Sequence, residues 1–470
     1  MKKQVSEISG TVDASPVKSF FVNMLTRDIS LHDAILDLLD NCVDGIHRMK
    51  KKASGKDKPY AGYRAEITFN VNEFIIHDNC GGIPWDLHAY AFRMGRADGR
   101  KKTDVGTVGV YGIGMKRAIF KMGRHCLIST KAGRDNYEIE ITEDWMNDER
   151  QWAIPVKKGR NSMAEDGSTI YISSLLPGIA NSFGPDKEAF ASDFIERVES
   201  QYAFIIHKGF EVIVNGVKVK PKPIELHFDN SKNKEAVRPF IYRAEVDGVR
   251  VFLAVGFSRP IPTQEDVSAA LDMKRHSTED AGWTVVCNER AVLYCDRSEL
   301  TGWGEAGVPD YHTQFIAISG IVEFQSEDPS KLPTTTTKRG IDASSPLYLQ
   351  VKNKMREGMK IFIDFTNKWK TREKEAKTHI KAAGSVPLTE LKHSSSTVHF
   401  TPVSKKPGGE QYRPSLPLPP LVDTGDRRIS FVRKVGEIKE VGRYLLQDEV
   451  AAPARVGEAC FESMLSEARK

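Results

Sequence analysis

One amphipathic helix near the start of the chain constrains the fold more than any other feature. Its apolar positions repeat at helical spacing over residues 31–50, and a shorter helix is predicted just before it, over 19–30. Ser30 is a suitable N-cap, and Asp33 is an acidic residue in the first turn. Strands are predicted at 64–70, 73–77, 125–131, 136–142 and 168–174, with a helix at 115–122. The first 175 residues therefore alternate helix and strand, a two-layer α/β pattern.

The polar face of the helix over 31–50 carries a candidate site. Asp37, Asn41 and Asp44 stand at i, i+4 and i+7, so they share one face. The amide oxygen of Asn41 can ligate Mg²⁺, which prefers oxygen ligands, and the carboxylate of Asp37 can orient or deprotonate a water. Taken alone, a solvated polar face is the simpler interpretation of the same residues.

Three further segments carry polar or glycine-rich chemistry. One strand ends at Asp78, whose carboxylate can accept a hydrogen bond from an amino group such as adenine N6. Residues 92–114 hold six glycines ahead of the helix at 115–122, so backbone N–H groups and a positive helix end can approach phosphates. Residues 167–170 read Gly-Ser-Thr-Ile at the entry to a strand. Each segment alone is ordinary turn or loop sequence, and the glycine run fits neither the Walker nor the Rossmann pattern.

In order, type and spacing, the four segments resemble the boxes of the GHKL (Bergerat-fold) ATPases, which include gyrase B, MutL, the MORC proteins and the ninety-kilodalton heat-shock chaperones. The resemblance covers residues 25–175 and implies an α+β chain that begins with a two-layer ATP-binding domain. It implies that Asn41 binds Mg²⁺, that Asp37 is the catalytic base and that Asp78 binds adenine. The other implied ATP-binding positions are Asp44, Gly82, Ile83, Gly109, Tyr111, Gly112, Ile113, Gly114, Lys116 and Thr169.

Two positions depart from the family pattern. The family's catalytic glutamate is here Asp37, which has the same chemistry but one methylene less reach, and misplacement can cost on the order of 100-fold in rate. Asp40 is a poorer base because it lies about 100° round the helix from Asn41. The first glycine of the adenine box is here Cys80. Both departures fit a slow ATPase used as a switch, and they also fit a binder that hardly hydrolyses.

A second domain is expected after residue 180. Asn215-Gly216 is a tight hairpin signal within the strands near 210–219. Gyrase-like and MORC-like proteins have a transducer domain that sends a lysine to the γ-phosphate, and the resemblance implies that Lys338, in the Pro-Thr-rich loop 331–341, is this second catalytic residue. An exposed basic loop is the alternative interpretation.

The predicted organisation has five parts. They are an ATP-binding domain with an N-terminal arm (1–180), a ribosomal-protein-like βαβ transducer domain (181–345), a long helix (346–392), a Pro/Ser-rich linker (393–427) and a helical C-terminal module (428–470), split at Pro453.

Composition narrows the partners only slightly. The net charge of +5 permits contact with nucleic acid but does not argue for it. No apolar run approaches the roughly 18 residues of a membrane span. The six cysteines form no Cys-x-x-Cys pair, so we expect reduced thiols in a cytoplasmic protein and no zinc site.

Two functions follow as expectations. The first is an ATP-gated homodimeric clamp of the MORC/MutL kind, slowly hydrolysing Mg²⁺-ATP on DNA, in bacterial defence or DNA maintenance. Its DNA contacts would come from basic segments such as 50–52, 100–102 and 351–381. The alternative is a chaperone-like or signalling ATPase whose protein client binds residues 393–470. A protein kinase on the same fold is disfavoured, since only some 30 residues precede the first box.

Overall fold

The computed structural model describes residues 17–49, 58–93, 113–159, 163–184, 188–222, 224–231, 233, 235–263, 281–335, 340–370, 372–394, 398–404, 408–420, 429 and 431–470. The chain forms two compact units, Met1–Pro419 and Pro420–Lys470.

An eight-stranded sheet lies at the centre of the N-terminal part of the first unit. Its strands are β1 (Arg64–Phe69), β2 (Glu73–Asp78), β3 (Gly123–Ala132), β4 (Asp135–Ile141), β5 (Val156–Lys158), β6 (Gly167–Leu175), β7 (Glu211–Val214) and β8 (Val217–Lys218). Their order is β5-β4-β3-β6-β2-β1-β7-β8, antiparallel except for the parallel pair β1–β7.

Helices cover one face of this sheet. They are α1 (Lys18–Arg27), α2 (Leu31–Met49), α3 (His88–Phe92), α4 (Gly114–Met122), α5 (Glu143–Asn147), α6 (Pro177–Ser182), α7 (Glu188–Gln201) and α8 (Ala203–His207). The predicted cap of α2 is present, because the Asp33 N–H donates to Ser30 Oγ at 3.2 Å. Apolar residues of α2 such as Ile35 and Leu39 are fully buried in the same core as Ile76 of β2. The apolar stripe of α2 therefore faces the sheet, as its spacing predicts.

A second, seven-stranded sheet follows in the first unit. The strands of this region are β9 (Glu225–Phe228), β10 (Phe240–Val246), β11 (Val249–Phe257), β12 (Gly282–Cys287), β13 (Arg290–Asp296), β14 (Ile318–Gln325), β15 (Gly384–Pro387), β16 (Thr401–Pro402) and β17 (Glu410–Tyr412). The sheet order is β13-β12-β14-β11-β10-β17-β16, with β12 and β14 parallel, while β9 and β15 form a small separate pair.

The second sheet is covered on both faces. Its helices are α9 (Pro346–Lys368), α10 (Glu373–Ala382) and α11 (Leu388–Ser394). Met355 and Phe362 of α9 are buried in one core with Phe257 of the sheet. On the other face, Leu391 of α11 is buried with Ile241. A sheet enclosed in this way has apolar residues on both faces, which explains the fully buried strand β12.

The structure differs from the predicted organisation in three places. The hairpin β7–β8, expected in the second domain, belongs to the first sheet, because Val212 pairs with Ala65 in parallel. The helix expected over 346–392 is divided into α9, α10, β15 and α11. The linker expected over 393–427 contains β16 and β17, with Tyr412 opposite Ile241. A proline-rich composition does not prevent pairing at the edge of a sheet. An outermost strand such as β16 has a partner on one side only, so the missing N–H group of Pro402 is tolerated.

The second unit contains two helices, α12 (Val435–Leu446) and α13 (Pro453–Ala468). They lie where the sequence predicts two short helical pieces, and Pro453 occupies the first turn of α13, where a missing N–H costs little. Gly442 and Val456 are buried between the two helices. In the described part of the chain, no helix has the length and apolar character needed to cross a membrane.

The turn between β12 and β13 joins the second sheet to the first. Its two residues, Asn288 and Glu289, have φ of 46° and 73°, as a two-residue I′ hairpin turn requires. The Asn288 amide exchanges two hydrogen bonds with the Ser326 backbone, at 3.1 and 3.0 Å. Glu289 pairs with Lys208 and accepts a hydrogen bond from Tyr60 at 2.7 Å. The carboxylate of Glu289 is therefore held by two residues of the N-terminal part of the first unit.

We predict that Glu289→Gln makes the protein less stable by about 1–3 kcal/mol at neutral pH. Burial alone would raise the pKa of Glu289, but Lys208 and the Tyr60 hydrogen bond outweigh it and place that pKa below its ordinary value. A depressed carboxyl pKa stabilises the folded state above about pH 4.3 and loses this effect as the pH falls through the folded-state pKa. The variant and the wild type should therefore converge in urea denaturation as the pH falls through the lowered pKa of Glu289.

The exposed residue Glu196 provides the control for this experiment. Glu196→Gln should change the free energy of unfolding by less than about 0.5 kcal/mol at any of these pH values. A penalty for Glu289→Gln that stays constant down to about pH 3 would contradict the assignment of this ion pair.

Candidate functional site

Helix α2 carries three buried carboxylates. Asp37, Asp40 and Asp44 are 4%, 1% and 5% exposed, whereas Asn41 is exposed. Burying an ionised carboxylate is costly unless it is paired, so these acids do not form a simple solvated face. The amide of Asn41 is left accessible at the edge of this acidic face.

The first acid, Asp37, lies against the start of α4. Its Oδ2 is 2.5 Å from Nη2 of Arg117. A Cβ on Gly114 would lie 3.3 Å from both Oδ2 and Cβ of Asp37. The Ile113 carbonyl accepts from the Arg117 N–H at 2.9 Å, so the helix begins at Gly114. The predicted base is thus beside the helix end whose N–H groups and dipole suit a phosphate.

The second acid, Asp40, has a structural role. Tyr202 donates to its Oδ1 at 2.5 Å, and Arg290 of β13 pairs with its Oδ2. The same Tyr202 hydroxyl lies 3.0 Å from the Leu36 carbonyl oxygen. Both carboxylate oxygens are therefore engaged away from Asn41, in agreement with the sequence argument against Asp40 as a base.

Asp78 lies half-buried where β2 ends. The Cys80 N–H donates to its Oδ1 at 2.7 Å, and the Cys42 thiol of α2 also hydrogen-bonds to it. Burial raises the pKa of the Asp78 carboxyl, while these two donors oppose the rise. The result is a partly desolvated hydrogen-bond acceptor at the end of an interior strand.

Close backbone contacts fix the segment after Asp78. A Cβ on Gly45 of α2 would lie 2.3 Å from the Cys80 carbonyl oxygen. A Cβ on Gly82 would lie 2.0 Å from the Lys131 carbonyl oxygen, and its φ is +60°. Arg48 Nη2 donates to the Gly82 carbonyl at 3.2 Å. The C-terminal half of α2 therefore contacts residues 78–82, called the Asp78 box below. The N-terminal half of α2 contacts α4.

Cys80 fits its position without backbone strain. Positive φ angles occur at the next two residues, Gly81 (+91°) and Gly82 (+60°), and Cys80 is not among the residues with positive φ. Only a left-handed backbone would require glycine. A cysteine side chain at this position is therefore compatible with the backbone of the segment.

Thr169, predicted to lie beside adenine, is on the opposite face of the sheet from Asp78. In the pairing of β2 with β6, Asp78 is opposite Ser168 and His77 is opposite Thr169. Opposite residues share a face and successive residues alternate. Thr169 Oγ1 is 2.8 Å from His77 Nδ1, whereas Ser168 is buried with its Oγ 3.1 Å from Thr130 Oγ1. Ser168, not Thr169, accompanies Asp78.

Two other predicted ATP-binding residues have internal partners. The Ile83 N–H donates to Thr130 Oγ1 at 2.8 Å, and its carbonyl accepts from Tyr137 at 2.9 Å. Lys116, only 2% exposed, donates from Nζ to the Ala91 carbonyl at 2.7 Å. Lys116 thereby connects α4 to the end of α3.

Four predicted residues lie outside the described part of the chain: Gly109, Tyr111, Gly112 and Lys338. The two sides of the loop that contains Lys338 are joined, because Thr334 bridges Ile341 and the Thr335 N–H donates to the Gly340 carbonyl at 3.1 Å.

The donor set fits Mg²⁺ held mainly by a ligand. Among the described residues, no group of three or more His, Cys, Asp or Glu side chains is arranged to hold a metal ion. Mg²⁺ bound with nucleotide phosphates keeps several waters and takes only one or two protein oxygens. The exposed amide of Asn41, one turn from Asp37, is suited to be that ligand.

Sequence reasoning missed Arg117 and Ser168. Ser168 could have been found, since Ile170 and Ile172 are apolar at alternate positions and place residue 168 on the inward face. Arg117 gave no such signal, because its partner Asp37 is 80 residues away.

Residues 29–166 match the family described as histidine kinase-, DNA gyrase B-, and HSP90-like ATPase. No curated protein matches the chain. The matched range includes α2, the Asp78 box and the start of α4, and it ends two residues before Ser168. The match supports a GHKL-type ATPase domain in this part of the chain, which suggests ATP binding and hydrolysis.

We predict that Gly82→Ala lowers the free energy of unfolding by about 2–4 kcal/mol. The new Cβ would overlap the Lys131 carbonyl and would also sit on a left-handed backbone. Gly133→Ala is the matched control, since Gly133 has the same φ of +60° but nothing within 4 Å of its Cβ position. The control should cost about 1 kcal/mol in urea denaturation. Equal losses in the two variants would contradict the close packing at Gly82.

Proposed function

We propose that this protein binds Mg²⁺-ATP beside α2 and hydrolyses it slowly. One observation carries the proposal: α2 contacts both halves of the candidate site, with Gly45 against the Asp78 box and Asp37 against Gly114. A nucleotide placed between these two contacts would extend from an adenine acceptor to a helix N-terminus. The match over residues 29–166 supports the same conclusion.

The residues divide into adenine and phosphate groups. Asp78 accepts a hydrogen bond from adenine N6, with the Ser168 hydroxyl beside it. The first N–H groups of α4 bind phosphate oxygens. Asn41 ligates Mg²⁺, which neutralises phosphate charge. Lys338 approaches the γ-phosphate from the second domain and stabilises charge on the transferred group.

Asp37 orients and deprotonates the attacking water. Its carboxylate is shared with the Arg117 guanidinium, 2.5 Å away, so the water competes for an acceptor that is already engaged. The shorter reach of aspartate and this competition both favour slow turnover. Such an enzyme serves better as a timed switch than as a metabolic catalyst.

We expect Asn41→Ala to abolish Mg²⁺-dependent ATP binding, because it removes the metal's protein ligand. Asp37→Asn should keep binding within about threefold but lower kcat by about 100-fold or more, because it removes the base. Isothermal titration and a phosphate-release assay measure the two quantities. Asn72→Ala, at an exposed asparagine in the turn between β1 and β2, is the control.

Loss of the base also leaves Arg117 buried without its carboxylate, which complicates Asp37→Asn. The double variant Asp37→Asn/Arg117→Met removes that unpaired charge. Normal turnover in either variant would sink the assignment of Asp37. Absence of ATP binding by the wild type would sink the proposed function as a whole.

We further propose that ATP closes two copies of the chain into a clamp on DNA, as in the MORC and MutL proteins it resembles. The net charge of +5 lies in the first unit, because residues 420–470 hold nine acidic and nine basic residues. The segment 351–381 contributes less than its sequence suggests. Lys352 and Arg356 of α9 both pair with Glu305, so they are not an open basic face.

With a non-hydrolysable ATP analogue, the protein should sediment as a dimer and bind double-stranded DNA. The logarithm of the binding constant should fall linearly with the logarithm of salt concentration, because phosphate contacts release counterions. Fluorescence anisotropy at several salt concentrations measures this slope. A monomer with the analogue, or no DNA binding at low salt, would refute the clamp.

The second candidate is a cytoplasmic ATPase with a protein client. Two observations on the second unit favour it. The unit has no net charge, and it exposes four large apolar side chains: Phe431, Tyr444, Phe461 and Met464. Exposed apolar side chains without charge excess suit a protein partner better than nucleic acid. A truncation that separates the candidates should remove residues 420–470 and keep β16 and β17. DNA-stimulated ATPase activity that survives this truncation favours the clamp.

A further inference from the structure

Arg290 connects the second sheet to the helix that carries the proposed nucleotide site. It is the first residue of β13, yet its guanidinium pairs with Asp40 of α2, 250 residues earlier. Its Nη2 is also 3.5 Å from Gln201 Oε1, and its Cζ lies 5.4 Å from the centre of the Tyr202 ring. Arg290 and Asp40 are 2% and 1% exposed. The pair is therefore buried between β13 and the helices of the N-terminal part rather than placed on the surface.

An ion pair in this position is better suited to fixing geometry than to adding stability. Removing two charges from water costs about as much as their attraction returns, and apolar residues of similar size often stabilise as well. Burial opposes the charge on Arg290, but Asp40 and Tyr202 more than compensate and raise the pKa of Arg290 above its ordinary value. The guanidinium thus stays charged and needs Asp40 at one distance and one orientation.

Asp40 lies close to the two residues of α2 that are assigned to water activation and Mg²⁺ binding. It is three residues from Asp37 and adjacent to Asn41. Tyr202 donates to its carboxylate and also lies in hydrogen-bond contact with the Leu36 carbonyl, so the helix is held at two points of one turn. A shift of about 1 Å in such a helix can cost on the order of 100-fold in rate.

The turn between β12 and β13 also makes a second ion pair, and its partner is Lys208 rather than a residue of α2. Glu289 binds Lys208, which follows α8, and Tyr60, which precedes β1. Its positive φ of 73° is set by the same two-residue turn. Of these two neighbouring residues, Arg290 pairs directly with a carboxylate of α2. Glu289 is connected to α2 only near its C-terminal end, through the charge of His47 and the packing of Tyr60 against the His47 ring.

We propose that Arg290 is a positioning residue for ATP hydrolysis: by holding Asp40, it fixes the face of α2 that carries Asp37 and Asn41. The inference rests on the proposed ATPase function, and it assigns to the second sheet a control over turnover that is separate from Lys338. Through the bonds between Asn288 and Ser326, the turn is also attached to the end of β14, from which the chain continues toward Lys338.

The test compares full-length Arg290→Met, Arg290→Lys and Glu289→Gln with the wild type. Arg290→Met should lower kcat by about tenfold or more while ATP binding changes by less than about threefold, and Arg290→Lys should recover part of the loss. Glu289→Gln, which breaks the ion pair with Lys208 and leaves the contacts of Asp40 intact, should leave kcat within about twofold of the wild type. Amide hydrogen exchange without nucleotide should rise over residues 36–44 in Arg290→Met only.

Equal losses of kcat in Arg290→Met and Glu289→Gln would overturn the proposal, because both would then report general contact between the sheets. If Arg290→Met does not fold, the neutral double variant Asp40→Asn/Arg290→Met replaces it. Reduced kcat in the double variant supports positioning, and wild-type kcat overturns it. Absence of ATP binding by the wild type would instead overturn the proposed function, whereas wild-type turnover and exchange in Arg290→Met would overturn the positioning role alone.

Discussion

Contact between α2 and the end of β2 is the constraint on which the rest of the site depends. At Gly45 the helix approaches the Cys80 carbonyl so closely that no side chain can stand between them. This contact sets the height of α2 above the sheet, and with it the distance from Asp78 to Asp37. Because the helix is rigid, fixing its C-terminal half also sets where its N-terminal half meets α4. A single element thereby determines the spacing between the Asp78 end and the α4 end of the candidate site.

Two buried acids of α2, Asp37 and Asp40, differ in role although they lie on the same helix. Asp37 and Asp40 are nearly equally buried, and each has a guanidinium partner. Arg117 comes from α4, beside the glycine-rich segment, whereas Arg290 comes from the second sheet. The first pair places a carboxylate beside the N-terminus of α4, and the second connects α2 to the second sheet. Identity of the partner, rather than burial or residue type, separates a candidate base from a structural acid.

Two ion pairs at one turn connect the second sheet to the N-terminal part of the first unit. The turn at Asn288 and Glu289 has a left-handed backbone at both positions, which directs Glu289 and Arg290 toward the first sheet. Similar use of a strained turn to aim functional side chains is common where geometry must be maintained. The ion pair between Arg290 and Asp40 connects α2 directly to β13, without an intervening loop. The clamp and client proposals both require such a connection, because both assign the output to regions beyond the nucleotide site.

The sequence by itself determined the local elements and the approximate site. The period of apolar residues located α2, and the strand pattern located β2 and β6. The polar face of α2 indicated Asp37 and Asn41 as candidates, and the end of β2 indicated Asp78. These signals are local, because helix and strand periodicity depend only on neighbouring residues. Ser168 was also within reach, since strand alternation fixes which side chains face inward.

Only the tertiary structure decided the partners. The pairing of β7 with β1, of Arg117 with Asp37 and of Arg290 with Asp40 each joins residues 80 or more apart in sequence. No periodicity links such residues, because their proximity follows from how whole layers pack rather than from local backbone preference. A buried charge announces that it needs a partner, but the sequence does not say which of many opposite charges the fold will bring to it.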